Sequence, residues 1–185
     1  MPLPTTVSDR VLSTVTGASV PIPDPNRLVH LQFRRFAGCP VSNLHLRSIV
    51  HRHAEITAAN IREVVVFHSS AAELRKYTAD FPLDFIADPQ RTLYREFGVE
   101  SGRRALLDPR AWPTILRGVA HTVYAVLRKR EVAPPDRPEG GRLGLPADFL
   151  IAPDGRVLAA EHGAHADDQW SVDELLALVP ATRNS

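Results

Sequence analysis

The chain is poor in the features on which several classes of protein depend. Its 185 residues include one cysteine, Cys39, so no intramolecular disulfide can form and a disulfide-stapled secreted scaffold is excluded. No apolar run approaches the ~20 residues that span a bilayer, and residues 1–10 lack the basic and apolar regions of a signal peptide. We therefore expect a cytoplasmic protein with no membrane partner.

The chain also has no excess of charge of one sign. Its formal net charge is +1 and no basic stripe is interleaved with aromatic residues, which argues against a nucleic-acid partner. With 44% hydrophobic and 23% charged residues, the composition is that of an ordinary globular protein. We predict one domain over residues 1–185, with an inserted helix and a Pro/Gly-rich loop at about 105–146.

What the sequence does contain is an alternation of strand and helix patterns. Strand patterns lie at 28–33, 61–67, 83–86, 149–151 and 157–159, the last two joined by an Asp-Gly turn typical of a hairpin. Helical patterns begin near Val41, Ala71, Pro89, Trp112 and Val172, with Ser70 and the Ser171–Glu174 capping box as start signals. This order predicts an α/β fold, a central mixed β-sheet with helices on both faces.

Cys39 lies where a predicted strand ends and a helix begins. Pro40 follows it and suits a first helical turn. The free N–H groups and partial positive charge of a helix N-terminus favour a thiolate at that point. Further groups near in sequence that could act on this thiolate are Arg34, Arg35, Ser42 and His45. The position therefore permits nucleophilic chemistry by the thiol.

Three blocks of sequence resemble the thioredoxin superfamily, and more closely its peroxiredoxin-like branch of alkyl hydroperoxide reductases and thiol-specific antioxidant proteins. Residues 33–42 (FRRFAGCPVS) resemble its active-site segment, 81–99 its next block, and 146–155 (PADFLIAPDG) its closing strand and hairpin. The likeness spans roughly residues 14–179, and the inserted region 105–146 departs from it. The resemblance implies a thioredoxin-like fold and an antioxidant oxidoreductase that needs no cofactor.

The chain departs from this branch at one position. The motif Cys-Pro-x-Cys reads Cys39-Pro40-Val41-Ser42, so the second cysteine, which dithiol exchange requires and which peroxiredoxins generally use against peroxide, is Ser42 here. What remains is chemistry with one cysteine and an external thiol. The resemblance implies that Cys39 is catalytic, with Ser42 and Arg35 in support. It also implies that Pro40 and Pro146 contact substrate. Thioredoxin-like proteins hold a cis-proline beside the cysteine, which Pro146 would match; a trans proline that ends a loop is the alternative.

Several functions stay open from the sequence. The first is reduction of a peroxide or a disulfide by Cys39, with a low-molecular-weight thiol or a thioredoxin-type protein as reductant. The alternative is a redox-inactive binding or regulatory module, because the second cysteine is missing and a fold does not imply a function. A redox sensor that is oxidised at, or dimerised through, Cys39 is the third, and a homodimer is left open.

Other candidate groups receive structural interpretations. His162, His165, Asp167 and Asp168 lack a standard metal motif, so we predict a solvated loop and no metal. The helix over 115–127 is interpreted as core packing, with a partner-binding face as the alternative. The basic residues Arg103, Arg104 and 128–130 are interpreted as solvated, with an acidic partner or the phosphate of a carrier as the alternative.

Overall fold

The computed structural model describes residues 4–99, 112–128, 133–134, 141, 145–165 and 167–180. Its strands are β1 (Arg10–Ser13), β2 (Ser19–Ile22), β3 (Leu28–Arg34), β4 (Ile61–Phe67), β5 (Asp84–Ala87), β6 (Ala147–Ile151) and β7 (Val157–His162). Its helices are α1 (Pro40–His51), α2 (His53–Ala58), α3 (Ala71–Thr78), α4 (Thr92–Glu96), α5 (Trp112–Leu127) and α6 (Val172–Ala177). Most of the predicted loop within 105–146 lies outside the described residues.

The described strands form a five-stranded sheet in the order β5-β4-β3-β6-β7 and a separate hairpin of β1 and β2. Strands β3, β4 and β5 are parallel, whereas β6 is antiparallel to both β3 and β7. The predicted mixed sheet is thus confirmed. Ala147 pairs with Phe33, so the start of β6 lies beside the end of β3. Residues that precede β6 and residues that follow β3 therefore meet at one end of the sheet.

Helices cover both faces of this sheet, as predicted. On one face, Val29, Leu31 and Phe33 of β3 pack with Tyr94 and Phe97 at α4, and residues of β2 join the same cluster. On the other face, buried side chains of α1, α2, α3 and α6 pack against β4 and β6. Full burial of one such aliphatic or aromatic side chain contributes about 1.5–3 kcal/mol. His30, Gln32 and Arg34 alternate with the first three residues and so belong to the second face.

Local sequence signals account for several ends of these elements. The Ser70 hydroxyl accepts a hydrogen bond from the Glu73 N–H at the start of α3, and Ser171 and Glu174 form the predicted capping box of α6. The predicted hairpin of β6 and β7 is confirmed. Its turn contains Gly155 at φ +83°, and a Cβ there would lie 2.7 Å from the Val7 carbonyl oxygen. Only glycine meets both demands.

Helix α4 starts later than the sequence predicts. Asp88 and Pro89 were expected to be its cap and first residue, but the helix begins at Thr92, after Arg91 at φ +55°. The Asp88 carboxylate still performs the capping role from four residues upstream, because it accepts hydrogen bonds from the N–H groups of Thr92 and Leu93 at 2.9 and 2.8 Å. The left-handed turn at Arg91 allows the chain to fold back onto the carboxylate.

Helix α5 packs on α1 through its small residues. Gly118, Thr122 and Ala125 are buried, and a Cβ on Gly118 would lie 3.0 Å from the Pro40 carbonyl oxygen. Residues Val119, Val123 and Leu127, which the sequence interpretation placed in the core, are exposed instead. That interpretation was wrong because close approach of two helices selects the face with the smallest side chains, and the larger apolar residues lie on the neighbouring face.

Candidate functional site

Cys39 occupies the junction of β3 and α1 that the sequence predicts. It has extended backbone angles and immediately precedes Pro40, the first residue of α1. Its carbonyl oxygen accepts the Asn43 N–H at 2.8 Å, and its own N–H donates to the Phe36 carbonyl at 3.1 Å. The residue is therefore the backbone cap of the helix. Its thiol makes no capping hydrogen bond among the described residues, which leaves the sulfur free of that structural duty.

The Cys39 thiol is covered by apolar side chains. The residue is 2% exposed and packs with Phe36 and Val41, both buried, and with Ile115 from the first turn of α5. Two of these neighbours come from the segment around the cysteine, and Ile115 comes from the inserted region. Access of any reagent to the sulfur therefore depends on how closely α5 lies on the start of α1.

Contacts with Tyr77 and with the residues after β4 hold the loop that carries Cys39. Gly38 adopts φ +76°, and a Cβ there would lie 2.7 Å from the ring of Tyr77, so a larger residue would displace the loop. The Ala37 N–H donates to the Ser69 hydroxyl at 2.9 Å, which ties the loop to the residues that follow β4. These contacts define where the thiol lies relative to the sheet.

The other predicted site residues lie in different surroundings. Ser42 is buried in the first turn of α1, one turn after Cys39, and Pro40 begins that helix. Arg35 is buried, with its guanidinium 5.6 Å from the centroid of the Phe36 ring. All three thus accompany the thiol in one loop-and-helix segment, although their roles in catalysis stay predictions.

Pro146 lies at the same end of the sheet, because it precedes the Ala147 that pairs with Phe33. It lines a small pocket with Val99, Leu145, His162 and Gly163. Among the described residues, Ile22–Pro23 is the cis peptide bond, so the bond before Pro146 is trans and the expected cis-proline is not found. Trans is the ordinary state of an X–Pro bond, and nothing in this loop overrides it. A substrate contact by Pro146 stays a prediction.

Beneath α1, the second face of the sheet carries a group of buried polar side chains that the sequence analysis did not assemble. The His30 ring lies between two carboxylates, with Nδ1 2.9 Å from Glu63 and Nε2 3.0 Å from Asp148. The Trp170 ring stacks on it at 5.7 Å between centroids. The Gln32 amide donates to Glu63 as well. We call these residues, together with Arg34 and His45, the buried polar network.

Arg34 joins this network to the helix that Cys39 begins. Its guanidinium donates to both Asp148 carboxylate oxygens at 2.7 and 3.2 Å and to the side-chain amide oxygen Oε1 of Gln32 at 2.7 Å. It also lies 3.1 Å from Nε2 of His45, which is on α1. Since an arginine has no acceptor atom, it is the donor to that ring nitrogen. The network therefore reaches from three strands to the same helix as the thiol.

The electrostatics of the network are balanced between two cations and two carboxylates. Burial alone would lower the pKa of His30, but the neighbouring Glu63 and Asp148 carboxylates raise it to about 9. Burial would raise the pKa of Asp148, yet the Arg34 guanidinium and the His30 ring hold it below its ordinary value. Burial and the positive charge of Arg34 lower the pKa of His45. At neutral pH His30 is charged and His45 is neutral, which leaves the four charged groups paired.

The hydroxyl of Tyr94 ties the ends of two strands together from the opposite face. It donates to the carbonyl oxygen of Arg34 and lies 3.0 Å from that of Val66. Burial, and then the Asp88 carboxylate, raise the pKa of this phenol. The group is thus a neutral donor that holds Arg34, the last residue of β3, directly before the loop that leads to Cys39.

The histidine and aspartate cluster after β7 is engaged in loop contacts. The Ala164 N–H donates to Asp168 at 2.6 Å, the Asp167 N–H donates to His165 Nδ1 at 3.3 Å, and His162 Nε2 lies 3.2 Å from the Phe97 carbonyl oxygen. Among residues 4–99 and the other described segments, no three His, Cys, Asp or Glu side chains converge in a way that could hold a metal ion. The same segments contain no helix with the length and apolarity to cross a membrane.

Comparison with known proteins decides the family. The sequence profile of the AhpC/TSA antioxidant enzymes matches residues 48–165, more than half of the chain. The chain belongs to the AhpC/TSA antioxidant enzyme family. The predicted relationship to peroxiredoxin-like proteins is confirmed, and the class of thiol peroxidases and oxidoreductases is supported with it. The profile match begins inside α1, after Cys39, so it does not itself include the thiol.

Solved structures similar to this AhpC/TSA family member share its fold. Peroxidoxin BcpB from Mycobacterium tuberculosis aligns with a TM-score of 0.65 and 19% identity, over 96% of each chain. A cysteine-to-serine mutant of PrxQ from Xylella fastidiosa aligns with a TM-score of 0.64 and 14% identity, over 96% of this chain and 94% of that one. No curated protein matches the sequence. The predicted thioredoxin-like fold is confirmed by these structures.

A putative thiol:disulfide interchange protein DsbE from Chlorobium tepidum is also similar, with a TM-score of 0.59, 18% identity and coverage of 97% of this chain and 100% of that one. The same fold is thus found in proteins named for peroxide chemistry and for disulfide chemistry. Fold similarity at this level of identity does not choose between them, so the choice depends on the residues around Cys39.

Proposed function

We propose that this AhpC/TSA family member is a thiol oxidoreductase that works with one cysteine, Cys39, and an external thiol. The observation that carries the proposal is the position of Cys39 as the backbone cap of α1, directly after β3. This position lies at the N-terminus of a 12-residue helix, where nucleophilic cysteines are generally found. The family relationship adds that this fold supports antioxidant chemistry.

The proposed reaction with a peroxide has three balanced steps. The Cys39 thiolate attacks the hydrogen-bearing peroxide oxygen and the O–O bond breaks, which forms a cysteine sulfenic acid; the departing alkoxide or hydroxide takes a proton from water and leaves as an alcohol or water. An external thiol then condenses with the sulfenic acid to form a mixed disulfide and water. A second external thiol attacks that disulfide and releases the Cys39 thiol together with an oxidised external disulfide. No second cysteine of the chain is needed.

The same thiolate can also act on a disulfide. It forms a mixed disulfide with one sulfur, expels the other as a thiol, and is released by an external thiol. A low-molecular-weight thiol or a thioredoxin-type protein is the proposed reductant in both cases, and a reducing cytoplasm would supply either. Ser42 and Arg35 are proposed to support the thiolate through a hydroxyl and a positive charge, and Pro40 and Pro146 to contact the substrate.

The burial of the thiol makes access part of this proposal. In the described apolar cluster around Cys39, Ile115 is contributed by α5, so its truncation should open a path without altering the cysteine loop. We expect Ile115→Ala to raise the rate of Cys39 alkylation by iodoacetamide several-fold in the folded protein. Val119→Ala, on an exposed position of the same helix, is the matched control and should leave the rate unchanged. Equal rates in all three proteins would show that Ile115 does not limit access.

The decisive experiment is the rate at which hydrogen peroxide converts Cys39 to a sulfenic acid, followed by mass spectrometry and compared with glutathione under the same conditions. We expect a rate several orders of magnitude above that of the free thiol. Cys39→Ser should abolish the modification, and we expect it to lower the free energy of unfolding by about 1–3 kcal/mol, because it places a hydroxyl among apolar side chains. A rate equal to that of glutathione would overturn the peroxidase reaction and leave disulfide exchange to be measured.

A second candidate function follows from the 2% exposure of Cys39 together with Ser42 at the second motif position. Both observations are compatible with a binding or regulatory module that lacks redox turnover. Such a module should retain a purified partner equally well after Cys39→Ala. A redox sensor would instead form a dimer through Cys39 after oxidant treatment, which a non-reducing gel detects as a species of doubled mass.

A further inference from the structure

Helix α5 has two distinct faces, one buried against α1 and one exposed. The face formed by Gly118, Thr122 and Ala125 is buried against α1. A second face, roughly 130° away around the helix axis, carries an exposed apolar stripe. The stripe consists of Trp112, Leu116, Val119, Val123 and Leu127, which are 58%, 65%, 44%, 52% and 78% exposed. Its members recur every three or four residues, so they form one continuous ridge along the helix.

The segment of sequence that contains this ridge is rich in positive charge. Residues 103–130 contain seven of the 22 Lys and Arg residues but one of the 21 Asp and Glu residues, which gives this segment a net charge of +6. The rest of the chain consequently carries −5, although the whole is nearly neutral. Within α5 and the turn after it, Arg117 and Arg128 are exposed and no acidic residue is present. The apolar ridge therefore belongs to a strongly basic stretch of the sequence.

We propose that α5 docks this protein on the surface of an anionic phospholipid bilayer. The apolar ridge would enter the boundary between headgroups and acyl chains, and the long side chains of Arg117 and Arg128, on another flank of the helix, would reach the lipid phosphates. Trp112 and Tyr124 add aromatic side chains of the kind that partition to this boundary. At 16 residues the helix is about 24 Å long, shorter than the ~30 Å hydrocarbon core, so it lies in the plane of the surface.

A bilayer fits this surface better than a protein partner does. The ridge is convex and belongs to a single helix, so a protein would have to supply a groove of matching length, whereas a lipid surface adapts to it. A second copy of the chain would bring the same +6 segment against itself, which repulsion disfavours. The sequence led us to expect no membrane partner, because it contains no segment that could span a bilayer. The present proposal concerns a helix that lies on the bilayer surface. It does not depend on the reactivity of Cys39.

The test is co-sedimentation of the full chain with vesicles of phosphatidylcholine, and with vesicles of phosphatidylcholine mixed with phosphatidylglycerol. We expect at least roughly tenfold stronger binding to the anionic vesicles at low salt, and a marked loss at high salt. Trp112 fluorescence should shift to shorter wavelength on binding, and the shift should be absent in Trp112→Phe because Trp170 is already buried. The double variant Arg117→Gln/Arg128→Gln should reduce the anionic preference several-fold.

Two further variants test whether the apolar ridge itself binds the vesicles. Leu116→Glu/Val123→Glu should lose the binding, whereas Val11→Glu, which adds a carboxylate at a 66% exposed position of β1, should retain it. All these positions are exposed, and circular dichroism checks that the variants are folded. Retained binding by the double glutamate variant, or equal binding to both kinds of vesicle, would overturn the proposal. The proposal would also be overturned if the unchanged protein bound neither kind of vesicle and formed a dimer that the double glutamate substitution dissociates. The ridge would then be the interface with a second copy of the chain.

Discussion

The two faces of β3 are built on opposite physical principles. Val29, Leu31 and Phe33 face an apolar cluster in which the contribution of each side chain follows its buried area. His30, Gln32 and Arg34 face a network in which each polar atom depends on a particular partner. Both faces are buried to the same degree. The apolar face should therefore tolerate small changes of shape, whereas the polar face should fail when one charge is removed.

This difference bears on the candidate site, because the two faces act on different parts of it. The polar face contacts α1, at whose start Cys39 lies, through the hydrogen bond from Arg34 to His45. The apolar face holds the end of β3 through the Tyr94 hydroxyl. The position of the cysteine loop thus depends on a directional network on one side and on a single polar anchor in an apolar layer on the other.

The largest effect is expected when one charge of the network is removed. Asp148→Asn keeps the shape but leaves Arg34 and His30 with one carboxylate between them, so we expect a loss of about 3–5 kcal/mol in the free energy of unfolding. Ile151→Val, on the same strand but on the apolar face, is the matched control and should cost about 1 kcal/mol. Urea unfolding measures both. Equal losses in the two variants would contradict the contrast between the faces.

The next effect is a dependence of stability on pH that arises from His30. Its pKa is about 9 in the folded protein against an ordinary value of 6.5, so the folded state binds the proton more tightly. The stabilisation is complete below about pH 6.5 and is lost as the pH rises through 9, a total of up to roughly 3 kcal/mol.

The groups that face His30 and its network are Glu63, Asp148, Arg34 and His45. His45, whose pKa is lowered, acts in the opposite sense and below pH 6.5, so the two histidines are separated by their pH windows. His30→Gln is the control for the alkaline window, because glutamine has no proton to lose. Urea unfolding of both proteins between pH 6.5 and 9 gives the comparison. An equally steep decline in the variant would assign the effect to another group.

A smaller effect is expected from the polar anchor on the apolar face. Tyr94→Phe removes the hydroxyl that bonds the carbonyl oxygens of Arg34 and Val66, so we expect a loss of about 1–3 kcal/mol from an unsatisfied buried acceptor. Because the Arg34 carbonyl lies near the cysteine loop, the iodoacetamide reactivity of Cys39 should change as well. Phe97→Leu, in the same cluster without a hydroxyl, is the control and should leave that reactivity as it is.

The features that depend on residues close together in sequence could be predicted from the sequence. The position of Cys39 between strand and helix, the Asp-Gly hairpin and the Ser171–Glu174 capping box all follow from short-range geometry, and each is found in the structure. The face of α5 that packs on α1 was assigned wrongly, because apolarity alone does not say which of two adjacent faces a neighbouring helix covers. The peptide bond before Pro146 is trans, whereas the family resemblance implied cis; no physical rule of the sequence had required a cis bond there.

The buried polar network shows why the other features of the site could not be predicted from the sequence. A signal existed, since His30, Gln32 and Arg34 alternate with apolar residues in a strand that is buried on both faces, which requires polar partners on one side. Those partners, Glu63 and Asp148, are 33 and 118 residues away from His30. Only the pairing of β3 with β4 and β6 brings them together.

The sequence by itself determined the order of strands and helices, the family resemblance and the placement of the one thiol at a helix start. These depend on local backbone preferences and on motifs a few residues long. The tertiary structure alone decided that Cys39 is covered by Ile115, that four charged groups are paired beneath α1, and that an apolar ridge of α5 is exposed. The reason is that burial and electrostatic pairing are properties of distances between segments, and such distances exist only once the sheet has formed.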